Sequence, residues 1–115
     1  MHNFRELKVW HKSIDLVIGI YKITKTFPDS ERFNLISQMQ RSGTSISSNI
    51  AEGAGRTSGP AFKQFLSIAL GSAYELETQL LISKKLGYIN AESYDSVVEE
   101  ITAVQKMIFG LINTL

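Results

Sequence analysis

The chain has 115 residues, with twelve Lys and Arg against eleven Asp and Glu and no Cys. That length builds one domain with its own core, the charge of +1 removes the global electrostatic case for a dedicated nucleic-acid binder, and the missing thiols exclude disulfides and thiolate metal sites. No stretch approaches the ~20 consecutive apolar residues of a membrane span, and the mixed, charged start "MHNFRELKVWHK" does not resemble a secretory signal, so a cytoplasmic protein is the default.

Pro28, Pro60 and the stretch Leu86 to Asn90 break the chain into four long periodic segments. At 1.5 Å per residue a helix of about 25 residues measures roughly 37 Å. Similar lengths joined by short connections predict an all-α fold, with residues 1–115 forming a single antiparallel, up-and-down, left-handed four-helix bundle.

The first segment, about Phe4 to Phe27, carries two apolar stripes at helical spacing. Leu7, Trp10, Ile14, Val17, Ile18 and Tyr21 form one; Val9, Leu16, Ile20, Ile23 and Phe27 form the other. Lys8, His11, Lys12, Asp15 and Lys22 share the narrow remainder. Two stripes exceed what a corner helix of a monomeric bundle needs, which makes Val9, Leu16, Ile20, Ile23 and Phe27 candidate oligomer contacts. The alternative is that this helix lies deepest in its own core.

The second segment starts near Asp29 or Ser30, where Pro28, Asp29 and Glu31 suit the positive end of a helix, and stops at the Gly-rich "EGAGR". Leu35, Met39, Gly43, Ile46, Ile50 and Ala54 step along one face. In the third segment Ser58 is the expected cap and Pro60 a first-turn residue. Its core stripe is Phe62, Phe65, Leu66, Ala69, Ala73, Leu76 and Leu80; Lys84 and Lys85 meet the negative end of the dipole, and Gly87 fits the left-handed terminating position. The fourth follows Asn90, a good N-cap, with Glu92 in its first turn. Tyr94, Val97, Ile101, Val104, Ile108, Leu111 and Leu115 repeat at 3 and 4, the seam of a left-handed bundle, while Asp95, Glu99 and Lys106 face away.

Catalytic chemistry finds little support. A carboxylate-bridged metal pair inside such a bundle needs inward Glu residues and two Glu-x-x-His motifs, but the only histidines are His2 and His11 and the core stripes hold no carboxylate. Glu75 and Glu77 are two residues apart and point to different sides of a helix. Ser45, Ser47 and Ser48 have no nearby His, and "EGAGRTSG" lacks both the preceding strand and the Lys of a phosphate-binding loop. The pattern implies no enzyme, no cofactor, no metal and no small-molecule substrate.

The remaining constellation is a polar stripe on the second helix: Arg41, Ser45, Asn49, Glu52 and Arg56. An unconstrained wet face favours Lys, Glu and Gln, whereas this one uses Asn, Ser and Arg, beside small Gly43, Ser47 and Ala51 that admit another backbone. The stripe therefore points to a specific polar contact, within the bundle or between subunits. Arg41 and Arg56 also suit phosphate, although Glu52 lies between them. With Lys63, Lys84 and Lys85 they are the candidate nucleic-acid contacts. A protein-binding scaffold or adaptor without nucleic-acid binding is the alternative, using the Leu70, Tyr74 and Leu81 flank of the third helix as a docking groove.

The stretches "FRELKVW", Phe27-Pro28 with Glu31, "SISSNIAEGAGR", "FLSIALGSAYELETQL" and "LGYI" span nearly the whole chain. In them it resembles the four-helix-bundle proteins encoded within intervening sequences of bacterial 23S rRNA genes. Ser45 to Gly53 carries the most specific part of the likeness, and Ser47 stands where members usually have Pro. The resemblance implies a left-handed up-and-down bundle assembling as a ring-like homopentamer, and no catalytic activity. It also implies relatedness to the accessory variability determinant of diversity-generating retroelements, a markedly basic pentameric bundle that binds nucleic acid, so RNA or another nucleic acid is an expected partner beside the protein itself.

Overall fold

Four helices, α1 (Lys8–Thr24), α2 (Leu35–Ala54), α3 (Gly59–Lys85) and α4 (Ala91–Asn113), make up the computed structural model, which describes residues 1–115 and contains no strand. Each helix packs on the next and α1 closes against α4, within a body of 44 × 25 × 19 Å. Partner positions run in opposite directions across each sequential pair. Val17 faces Gly43 while Thr24 meets Gln40; Ser42 meets Glu75 while Ser45 meets Ser72; Glu77 meets Gln105 while Lys84 lies over Tyr94. Sequential helices are therefore antiparallel. No helix is long and apolar enough to cross a membrane.

Local chemistry sets the helix ends. Ser58 Oγ accepts the Ala61 N–H at 3.2 Å and Asn90 Oδ1 accepts the Ser93 N–H at 2.8 Å, each satisfying an otherwise orphaned donor of a first turn. Gly87, at φ 82°, is the one left-handed residue and closes α3. Two starts differ from the sequence expectation. Asn3 accepts the Arg5 N–H and winds Phe4–Glu6 into a 3-10 turn, after which Leu7 is extended, so α1 begins at Lys8 rather than Phe4. A second 3-10 turn, Asp29–Glu31, is cut from α2 by Asn34 at φ −126° and ψ −101°, whose amide donates to Glu31 Oε1.

One contiguous cluster of 19 buried apolar residues runs through all four helices. The apolar face of α2 is wholly buried; so are Phe62, Leu66, Ala69, Ala73, Leu76 and Leu80 of α3 and Val97, Ile101, Val104 and Ile108 of α4. For α1 the expectation of a subunit contact does not hold. Val9, Leu16, Ile20 and Phe27 are buried within the protomer, and Ile23 is half-buried against the same core. The buried face also takes in Ser13 and Thr24, whose hydroxyls donate to the carbonyls of Trp10 and Ile20 at 2.7 and 2.8 Å. Because their polarity is satisfied inside the helix, these two residues extend the core stripe instead of interrupting it. Ile18 and Tyr21, from the other stripe, are the ones left exposed.

Candidate functional site

The α2–α3 seam is where the small and polar residues of α2 are used. Gly53 lies so close to α3 that a Cβ there would stand 2.6 Å from Phe65 Cβ; one on Gly43 would stand 2.8 Å from Val17 Cγ2 of α1. Two neighbours thus demand the absence of a side chain at two different levels. Around the Gly43 level hydroxyls bridge α2 to α3. Ser42 Oγ donates to Glu75 Oε1 at 2.7 Å, and the Ser45 and Ser72 hydroxyls pair at 2.8 Å. Asn49 Nδ2 donates to both the carbonyl and the Oγ of Ser45. Deeper in, Gln79 Nε2 donates to Glu75 Oε1 at 3.3 Å, while Gln79 Oε1 is buried without a partner. Ser83 Oγ donates to the Gln79 carbonyl and rests 3.4 Å from Met39 Sδ.

The polar stripe of α2 thus divides. Ser45 and Asn49 enter the seam; Glu52 and Arg56 form the molecule's only ion pair, at 3.2 Å on the surface, with the Arg56 guanidinium 4.6 Å from the Phe65 ring. Arg41 is exposed and unpaired. Lys63 and Lys85 are exposed on α3, whereas Lys84 is half-buried with its ammonium 4.5 Å over the Tyr94 ring. Of the five candidate nucleic-acid contacts, Arg41, Lys63 and Lys85 are therefore free and scattered, and Arg56 and Lys84 are engaged. Ser42, Ser72 and Gln79 complete the seam and were not singled out from sequence, and Glu75, weighed there only as half of an acid–base pair, joins them. Their signal was available: Ser72 and Glu75 lie three apart on α3, matching Ser42 and Ser45 on α2.

Two other features frame the seam. The outward face of α3 carries Ile68, Tyr74, Leu81 and Ile82, continued by Leu86 just past its end, all exposed, with Leu70 half-buried beside them. At the far end of the bundle the Tyr88 hydroxyl donates to Glu31 Oε2 at 2.7 Å. That hydrogen bond, with partial burial and the nearby negative charge, holds the Tyr88 phenol above its ordinary pKa. No three His, Asp or Glu side chains converge to hold a metal ion.

Fold and site together define a four-helix-bundle protein whose polar side chains bind its helices to one another. The model of the 23S rRNA-intervening sequence protein family matches residues 5–110, and the chain belongs to that family. It is similar to a crystal structure from Bacteroides thetaiotaomicron, described as a protein of unknown function from the S23 ribosomal protein family. The two share 32% identity and a TM-score of 0.84, over 90% of this chain and 97% of that one. No curated protein matches the sequence.

Proposed function

We propose that the protein is a non-enzymatic cytoplasmic bundle that self-associates, as the pentamer its family resemblance implies, and presents a nucleic-acid contact surface. The observation that carries self-association is the outer face of α3. Ile68, Tyr74, Leu81, Ile82 and Leu86 expose apolar surface along most of that helix. In their midst Gly71 has no atom within 4 Å of where a Cβ would stand, which leaves room for a second backbone. An apolar stripe of this kind on a soluble domain is characteristic of an interface. It moves the expected contact from α1 to α3.

Repetition supports the nucleic-acid part. A protomer of near-neutral charge binds a polyanion weakly, but several copies of Arg41, Lys63 and Lys85 held in one assembly act together. Light scattering at micromolar concentration is expected to give a multiple of 12.8 kDa. Ile68→Glu with Ile82→Glu is expected to reduce it to the protomer while helicity is retained. A wild-type protomer mass would refute self-association. RNA retention is expected at low salt and should weaken as salt rises; no retention at low salt, or indifference to salt, would refute the contact. The same α3 stripe supports the second reading, a scaffold for another protein's amphipathic helix, which a monomeric wild type holding a protein partner after nuclease treatment would favour.

A further inference from the structure

We propose that the groove between α1 and α2 is a track for an unpaired nucleic-acid strand, with Tyr21 and Phe33 as stacking platforms and Lys25, Arg32 and Arg41 as phosphate contacts. This rests on the nucleic-acid reading above and gives it a place and a strand type. Two cavities of about 600 and 380 Å³ lie along the groove and adjoin at Tyr21 and Gln40. Its lining sets Lys25, Arg32 and Arg41 against one carboxylate, Asp29, and none of the three cations is in an ion pair. The depression on the other side of α1, against α4, has the opposite balance: Lys12 and Lys22 face Asp15, Glu99 and Glu100. Along this helix a polyanion is drawn to one side only.

The aromatic residues specify the kind of polyanion. Tyr21 stands at the junction of the two cavities and is 46% exposed. Phe33 lies just outside the two linings, directly after a groove-lining cation; it is 90% exposed, an apolar ring in water with the Arg32 guanidinium 5.8 Å from its centroid. Folding leaves Phe33 almost fully open and Tyr21 about half open, and open rings beside cations suit bases that lack a stacking partner. A duplex, whose bases stack on each other, has no use for them. Small residues keep the floor shallow, and the Ser37 and Ser48 hydroxyls are available to phosphate or sugar oxygens. Along α2 the lining from Ser37 to Ser48 rises roughly 17 Å, a site of about four nucleotides.

The test is fluorescence anisotropy of the full chain with labelled oligo(U), oligo(dT) and a blunt RNA duplex, each of about 12 nucleotides per strand, at low salt. Both single strands are expected to bind about tenfold or more tightly than the duplex, and the ratio between them tells whether RNA or DNA is preferred. Tyr21→Ala should weaken binding by about tenfold while Tyr21→Phe retains it. Arg41→Gln should lower the slope of log affinity against log salt by about 0.7, one phosphate contact on a single strand, and Lys12→Gln should leave it unchanged. Circular dichroism verifies that each variant is folded. Equal binding of duplex and single strand would overturn the track. So would binding that survives Tyr21→Ala and Arg41→Gln but is lost in Lys63→Gln with Lys85→Gln, which leaves the broader nucleic-acid reading standing. Failure of every polynucleotide to bind would remove both.

Discussion

Replacing Gly53 by Ala tests whether close helix approach dictates the sequence of α2. The new Cβ would meet Phe65 Cβ at 2.6 Å and Phe62 Cδ1 at 3.0 Å, where carbon atoms rest at about 3.5–4.0 Å. The Cβ of Phe65 is fixed to its helix and cannot swing aside, so α2 and α3 must part by about 1 Å at this level. Overpacking of this kind costs ~1–3 kcal/mol. The same parting strains the Ser45–Ser72 hydroxyl pair farther along the seam, where a lost hydrogen bond costs ~1 kcal/mol. Ala gains at most ~1 kcal/mol over Gly in helix propensity, and less here because α2 ends one residue later. The net expectation is a loss of about 2 kcal/mol, a fall in Tm of roughly 8 °C for a chain of this size. Gly110→Ala is the control: nothing lies within 4 Å of its Cβ position on α4, so a gain of ~0.5–1 kcal/mol and a rise of about 3 °C are expected. Thermal melts followed by circular dichroism suffice, run at one protein concentration because association shifts Tm. A Gly53→Ala protein as stable as the wild type would refute the reasoning.

Three further outcomes follow from named contacts. Asn90→Ala leaves the Ser93 N–H without its cap and should cost ~1 kcal/mol, read as a Tm about 4 °C lower; an unchanged melt would deny that the cap matters. Gln79→Met removes a long hydrogen bond and a buried carbonyl that has no partner, so chemical denaturation should show it neutral or up to ~1 kcal/mol more stable, and a loss beyond ~1 kcal/mol would contradict this. The raised Tyr88 pKa means that the fold favours the neutral phenol. Its contribution is complete below the unfolded pKa of ~10 and is lost as pH rises through the higher folded value. Urea midpoints from pH 8 upward should therefore fall more steeply in the wild type than in Tyr88→Phe, and parallel curves would contradict the assignment.

Legibility varied along the chain for physical reasons. In α4 the seam repeats at 3 and 4 without interruption, and its four central members are buried. The segment breaks at Pro28, Pro60 and Gly87 were equally plain, because each restricts or permits backbone angles regardless of tertiary context. Two apolar arcs on α1 look alike in one dimension; deciding which faces inward required Ser13 and Thr24, polar by composition yet silent in the core, and the gap that Gly43 opens opposite Val17. The 3-10 turns at Phe4–Glu6 and Asp29–Glu31 escaped because Asn3 and Asn34 act through local side-chain bonds that leave helical periodicity intact. On α2, Ser45 and Asn49 stood out by their residue type, but their contact with Ser72 depends on α3 lying alongside. The α1–α2 groove joins Tyr21 and Lys25, neighbours on one helix face, to Arg32 and Arg41, which reach them only through packing.

The bridging hydroxyls also act as a key. Aliphatic surfaces tolerate many neighbours of suitable size, so two such helices slid past each other by one turn, about 5.4 Å, still find hydrocarbon to touch. Ser42 with Glu75 and Ser45 with Ser72 lose both of these bonds in such a slide, and buried Ser42 is parted from the carboxylate that satisfies it. Misaligned packings are thereby penalised, much as a single buried Asn excludes wrong alignments in a coiled coil. A protomer locked at one setting shows every copy it meets an identical exterior.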